Sequence, residues 1–250
     1  DWPYMILTDG NSHNLALNFR LMRSSIDNPI YTRRGSQFTL GLKITPPYSL
    51  IKGTTDAQYA QMSATEKYNL LEYHKWSFSG KVFTPLTADS KLVLMARADF
   101  GYLGHYNKNV KSPFESFYMG GDGMSSYSSY STEYISMRGY QSGSLTPYDP
   151  ATGRNMGYVY NKFTMELRYP ISLEQNATIW ALAFVEAGNC FADIKDYNPF
   201  KLKRSAGVGV RLFLPMFGLM GIDWGWGFDD INGSKQYGGS QFHFVLGQEL

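Results

Sequence analysis

Leu219-Met220-Gly221-Ile222-Asp223-Trp224-Gly225-Trp226-Gly227-Phe228 sets Met220, Ile222, Trp224, Trp226 and Phe228 on one parity and Leu219, Gly221, Asp223, Gly225 and Gly227 on the other. Successive side chains of a β-strand point to opposite faces, so the stretch reads as a strand with one large apolar face and one small or acidic face. A soluble sandwich buries such an aromatic face, whereas a membrane barrel shows it to lipid. Residues 205–214 repeat the theme, with Ala206, Val208, Val210, Leu212 and Leu214 opposite Gly207, Gly209 and Arg211. Residues 241–246 set Phe242, Phe244 and Leu246 against Gln241, His243 and Val245.

Segments 14–20, 37–44, 75–84, 91–102 and 162–169 also alternate. In the last of these, Phe163, Met165, Leu167 and Tyr169 oppose Lys162, Thr164, Glu166 and Arg168, and four polar groups on one face suit water or a polar lumen rather than an apolar core. Segment 177–189 departs from the rule, because Trp180, Leu182 and Phe184 share parity with Glu186. A bulge, or apolar side chains facing a plug, is expected there. The connections alternate in length. Short ones fall near 26–35, 85–90, 171–176 and 215–218, and long ones at 45–72, 103–156, 193–203 and 229–239, the pattern of turns at one rim of a barrel and loops at the other.

Composition agrees. The 250-residue chain is 16% aromatic yet polar on average, which excludes a helical membrane protein. Its longest apolar run, 179–185, is far short of the roughly 18–20 residues of a spanning helix. A formal net charge of +2, with no basic stripe, argues against nucleic acid. The single Cys190 reads as a small strand-end side chain, and no His or Cys cluster has metal-ligand spacing. His13, His74, His105 and His243 stand beside no nucleophile motif, so no enzyme is read, and His243 is expected to face the lumen. Asp229-Asp230-Ile231-Asn232-Gly233 lacks the bidentate Glu of an EF-hand and reads as a polar loop. The Ser- and Tyr-rich 127–134 reads as a flexible part of the long loop. Asp1-Trp2-Pro3-Tyr4 is no signal peptide, so the chain reads as mature or as a piece of something longer.

The fold expected is therefore all-β, a transmembrane antiparallel barrel, with about nine strands visible. An odd count leaves open edges in lipid, where unpaired backbone groups cost several kcal/mol each. The chain is thus expected to be the C-terminal portion of a larger barrel, with residues 3–9 the remnant of a preceding strand or loop.

The longest connection carries Ser136-Met137-Arg138-Gly139-Tyr140 after Phe117-Tyr118-Met119-Gly120-Gly121. This resembles the Omp85 superfamily, whose sixth extracellular loop folds back into the barrel with an R-G-aromatic tip after an F-x-x-G-G approach. Further matches follow in order: Glu166 with a closing Pro170; Phe184-Val185-Glu186-Ala187-Gly188-Asn189, with Glu where Asp is usual; Gly207-Val208-Gly209-Val210-Arg211 with Pro215 and Gly218-Leu219; and Phe242-His243-Phe244-Val245-Leu246-Gly247-Gln248 as the β-signal strand, with Leu250 where a terminal aromatic is usual. The resemblance runs from about Asn14 to the end and is nearest in pattern to BamA-type assembly factors.

Residues 1–250 are then expected to be the C-terminal part of a barrel of about sixteen strands. The loop 103–156 carries Met137, Arg138, Gly139 and Tyr140, and the POTRA domains lie outside this chain. A guanidinium taken into a barrel needs anionic partners, and Glu166, Glu186 and Asp223 are the candidates; parity turns Glu166 and Asp223 inward, and the resemblance does the same for Glu186. The function implied is insertion of client β-strands in a Gram-negative outer membrane, without cofactor, through a lateral seam. The last strand, 241–250, forms one side of that seam with Phe242, Phe244, Leu246, Gly247 and Leu250. The implied partners are the lipid bilayer, unfolded client outer-membrane proteins, accessory lipoproteins and the N-terminal remainder of the same protein. The rivals are an Omp85-type secretion pore, a soluble carbohydrate-binding sandwich and a passive channel, the last suggested by inward Arg20, Lys43, Lys81, Arg97 and Arg211.

Overall fold

The computed structural model describes residues 10–124, 132–149, 153–174, 176–231, 233–234 and 236–247. The stretch 3–9, most of 127–134, and Leu250 lie outside these. Alternating sequence becomes strand. β1 (Leu17–Ser24), β2 (Gly35–Ile44), β3 (His74–Pro85) and β4 (Val93–Gly104) are followed by β5 (Phe117–Met119), β6 (Glu133–Ile135), β7 (Tyr148–Asp149) and β8 (Arg154–Asn155), four short pieces inside the longest connection. Then come β9 (Val159–Glu174), β10 (Ala177–Phe191), β11 (Lys203–Leu214), β12 (Gly218–Gly227) and β13 (Gly239–Leu246). Nine of these make one antiparallel sheet in the order β1-β2-β3-β4-β9-β10-β11-β12-β13. Among the described residues β1 does not meet β13, so the sheet is an open part of a barrel.

Antiparallel pairing sends the short connections 25–34, 86–92, 175–176 and 215–217 to one rim and the long ones, 45–73, 105–158, 192–202 and 228–238, to the other. The first long connection holds three short helices, α1 (Tyr48–Lys52), α2 (Asp56–Gln61) and α3 (Ala64–Lys67). Thr55 with Gln58 and Ser63 with Glu66 form capping boxes that start α2 and α3. Among the described residues no helix is long and apolar enough to cross a membrane.

The two faces of the sheet differ as the alternation requires. Phe163, Met165, Val208, Ile222, Trp226, Phe242 and Phe244 are exposed on the outer face, while Lys162, Thr164, Glu166, Arg211, Asp223 and His243 are buried on the inner one. An exposed apolar face of this extent aggregates in water and is stable against lipid.

Two departures from the sequence reading concern strand bounds. The first strand sits at Leu17–Ser24 rather than 14–20. Its alternation pairs Leu17, Phe19 and Leu21 with Ile44, Leu42 and Leu40 on one face, and beyond its end Ser25 bonds Ser36. Pro170 does not close its strand, because β9 continues to Glu174. Pro170 pairs with Trp180 and Ser172 with Ile179, so β9 carries one extra residue here, and a bulge accommodates the missing N–H. The last strand is described as far as Leu246; Gly247 after it has φ +62° and still donates to the Leu219 carbonyl at 2.7 Å, and 248–250 lie outside the described residues.

At 177–189 both expected features occur. The bulge lies opposite Ile179 and Trp180, and Trp180, Leu182 and Phe184 point inward. They pack with Tyr31, Phe83, Met95 and Leu219 into an apolar floor near the short-turn rim. Tyr31 reaches in from the first short connection, its ring edge-on to Trp180 at 5.7 Å and its hydroxyl donating to the Lys91 carbonyl at 2.9 Å.

If the outer face meets lipid, Ile222→Arg should destabilise the fold by about 2–4 kcal/mol in phospholipid vesicles, as a cation near the midplane does. Ser240→Arg, at a strand end, should cost about 1 kcal/mol or less. Equilibrium unfolding in urea measures both, and equal small costs would place Ile222 outside the hydrocarbon.

Candidate functional site: the loop tip and its carboxylates

The long connection between β4 and β9 folds into the lumen. Phe117, Met119, Ile135, Met137, Tyr140 and Leu145 from the loop bury together against Tyr73, Leu103 and Tyr160 of the wall. The glycine pair shapes the approach. Gly120 and Gly121 have φ +127° and +78°, conformations that favour glycine. The Gly120 N–H donates to the Ile135 carbonyl, and the Gly121 N–H to that of Tyr140 at 3.0 Å. The Met137 N–H returns a bond to the Gly121 carbonyl at 2.9 Å. The tip 137–140 is thereby held as a compact turn, and all four residues are buried.

Arg138 is 6% exposed and meets three carboxylates. Its Nη2 lies 2.7 Å from Glu166 Oε1 and 2.8 Å from Glu186 Oε1, and its Nη1 lies 3.3 Å from Asp223 Oδ2. Its Nε donates to Glu186 Oε1 at 3.0 Å and its backbone N–H to Glu186 Oε2 at 2.9 Å. The guanidinium also lies over the Phe184 ring, 3.6 Å from its centre, a cation–π contact with one member of the apolar floor.

Each carboxylate has a second cation that the sequence reading did not assign to it. Lys162 Nζ is 3.0 Å from Glu186, and Arg168 Nη2 is 2.7 Å from Glu166. Arg211 grips Asp223 with two bonds, 2.6 and 2.7 Å. Parity carried the signal for Arg168, which shares a face with Glu166 at i+2 on the same strand. For Lys162 and Arg211 it gave only the inward direction, because their contacts cross from β9 to β10 and from β11 to β12. Four cations thus surround three carboxylates, every one of these side chains largely withdrawn from water.

Glycine makes room for the tip. A Cβ at Gly225 would stand 2.7 Å from the Gly139 nitrogen, and one at Gly139, whose φ is +86°, would stand 2.7 Å from the Gly227 nitrogen. The small inner face of β12 is therefore a groove for the loop backbone, a close approach that strand glycines permit. The Tyr140 hydroxyl donates to the Arg204 carbonyl at 2.7 Å and accepts the Asp229 N–H at 3.3 Å. Asp229 itself is bonded by the Arg204 guanidinium at 2.8 Å, which holds its carboxyl below the usual carboxylate range. Cys190 is buried against the loop cluster. Phe242, Phe244 and Leu246 lie on the outer face of β13, exposed, and Gly247 follows them.

Gly139→Ala should destabilise the docked loop by about 1–3 kcal/mol, as overpacking does. Gly153→Ala provides the comparison: its φ is +69°, but nothing lies within 4 Å of the added carbon, so it should cost about 1 kcal/mol. Limited proteolysis within 103–156 reads both, and equal sensitivity would show that the groove does not hold the tip.

The Omp85 superfamily domain matches residues 3–250. No curated protein matches by sequence. Among solved structures, the crystal structure of BamA from Haemophilus ducreyi lacking POTRA domains 1–3 is similar at 18% identity with a TM-score of 0.61, over 92% of this chain and 41% of that one. This chain therefore spans less than half of that structure, and the likeness is one of barrel fold. With the family domain covering nearly its whole length, the chain belongs to the Omp85 superfamily.

Proposed function

We propose that this chain is the C-terminal barrel portion of a BamA-like assembly factor of a Gram-negative outer membrane, which inserts client β-strands through a lateral seam beside β13. The observation that carries this reading is the docked loop, whose Arg138 joins β9, β10 and β12 from inside the lumen. A lumen filled in this way is ill suited to passive diffusion. Of the inward cations that suggested a channel, Lys43 pairs with Glu115 of the loop, Arg97 with Asp99 and Arg211 with Asp223. The available surface is instead the edge of β13, which among the described residues pairs with β12 alone. An unpaired edge offers backbone donors and acceptors to an incoming strand, the principle of β-augmentation.

In this reading the rest of the barrel and the POTRA domains belong to the remainder of the same protein. The clients are unfolded outer-membrane proteins, delivered with the help of accessory lipoproteins. Phe242, Phe244 and Leu246 keep the seam strand in lipid, and the Gly247 N–H continues its bonding to β12 at the Leu219 carbonyl. Met137, Arg138, Gly139 and Tyr140 hold the wall that adjoins the seam in one geometry.

In the full-length protein, Arg138→Ala leaves buried carboxylates short of a cation, a change that costs about 3–5 kcal/mol for a buried pair. The expected result is faster proteolysis within 103–156 and reduced insertion of a client barrel into vesicles, with the barrel itself still folded. Arg138→Lys should rescue poorly, since an ammonium lacks the planar fork. Glu186→Gln should resemble Arg138→Ala without adding fully to it, as members of one network couple. Normal loop protection and normal insertion in Arg138→Ala would refute the role assigned to the arginine. Export of a soluble partner without client insertion would favour a secretion pore.

A further inference from the structure

The loop tip touches five consecutive strands, and four of those contacts have been described: β9, β10 and β12 through Arg138, and β11 through Tyr140. The fifth is different in kind. The backbone N–H of Gly139 donates to Nε2 of His243 on β13 at 2.9 Å. His243 is 5% exposed and stands directly across from Asp223 in the β12–β13 ladder. Among the described residues this is the tip's one hydrogen bond to β13 and the one acceptor of the Gly139 N–H.

A ring nitrogen that accepts from an N–H must carry a lone pair. The imidazole is therefore neutral, with its proton on Nδ1, because an imidazolium has two donors and no acceptor. A proton added at Nε2 would set donor against donor and leave a buried N–H without a partner. The three contacts of Arg138 do not use the Nε2 lone pair, and neither does the Tyr140 bond. The β13 link is thus separable from the other four, and it rests on a side chain whose type ordinarily changes charge between about pH 5 and 8. The charged groups that face the ring are Asp122 and Arg138 from the loop, Asp223 from β12 and Glu186 from β10. On β13 itself the inward neighbours Gln241 and Val245 do not titrate.

We propose that His243 is a positioning residue whose neutral imidazole latches the loop tip to β13, and that its protonation releases this strand alone from the tip. The latch stands on the hydrogen bond. Its consequence for client insertion rests on the function proposed above, in which β13 borders the seam.

The test is amide hydrogen exchange of the full-length protein in lipid vesicles between about pH 8 and pH 5, corrected for the intrinsic pH dependence of exchange. Wild type should lose protection at 137–141 and along β13 by about tenfold toward low pH, the size of effect that one buried hydrogen bond supports. His243→Gln keeps an acceptor oxygen at similar reach and does not titrate, so it should stay protected with a flat profile. His243→Phe should be unprotected at every pH. Client insertion is followed in the same samples. A latch that titrates as expected while insertion does not change upholds the positioning role and removes the insertion reading. A flat wild-type profile overturns the latch without any variant needing to fold, and so does a pH dependence that survives in His243→Gln.

Discussion

A guanidinium carried on a loop into the interior of a barrel must find carboxylates there, because the charge is costly away from water unless paired and bonded. Arg138 meets this constraint with Glu166, Glu186 and Asp223, and the requirement propagates outward. Three buried carboxylates exceed what one arginine can neutralise, so Lys162, Arg168 and Arg211 supply the balance. Those six side chains have to stand on inward positions of β9, β10, β11 and β12, which fixes the register of all four strands. Buried ion networks of this kind add little net stability compared with an apolar filling of the same volume, but losing one member is severe. Their contribution here is position: they determine where the loop ends and how it is turned.

The lumen is layered accordingly. Near the short-turn rim Trp180, Leu182, Tyr31 and Leu219 form an apolar floor, and Phe184 at its upper edge carries the guanidinium on its ring. Above it lies the ionic layer. Toward the long loops, Phe117, Met119, Met137 and Tyr140 make a second apolar cluster with the wall. Apolar material on both sides lowers the access of water to the charges, which strengthens each pair and raises the cost of breaking it. The Trp180, Leu182 and Phe184 stripe, anomalous for a water-filled barrel, is what this layering needs.

Much of this was legible in the sequence because side-chain parity does not depend on strand register. The inward position of Glu166 and Asp223 followed from alternation alone, and the R-G-Y tip with its F-x-x-G-G approach pointed to a returning loop. Contacts between strands were not legible. Arg211 looked like a free lumen cation because only the β11–β12 pairing brings it to Asp223, and His243 looked like an unpartnered lumen residue because its bond goes to a backbone atom 104 residues away. The glycines of β12 read as a small face, yet their purpose needs the loop backbone in place. Pro170 misled for a local reason: a proline argues for a strand end unless a bulge absorbs it, and the bulge is set by the partner strand. At β1 alternation held, with Leu17, Phe19 and Leu21 on one face and Asn18 and Arg20 on the other, and what it did not give was where the strand begins and ends.

The two edges of the sheet are held very differently. β1 is exposed along its whole length and, among the described residues, pairs with β2 alone. β13 has eight residues, against sixteen and fifteen for β9 and β10, so its ladder to β12 is short. Its inner face, however, is tied to the loop by His243, and its outer face is aromatic. In hydrocarbon each unpaired backbone group costs several kcal/mol, so the free flank of β13 has to be covered by some strand at all times. Under the proposed function, a strand of the same barrel and a client strand would present chemically equivalent backbone bonds. The choice between them would then depend less on the bonds gained than on how firmly β13 is kept in the geometry that suits its own neighbour. A loop tip anchored by five strands sets that geometry for four of them through charges and a tyrosine hydroxyl, and for the fifth through a single hydrogen bond, which makes β13 the strand most easily let go.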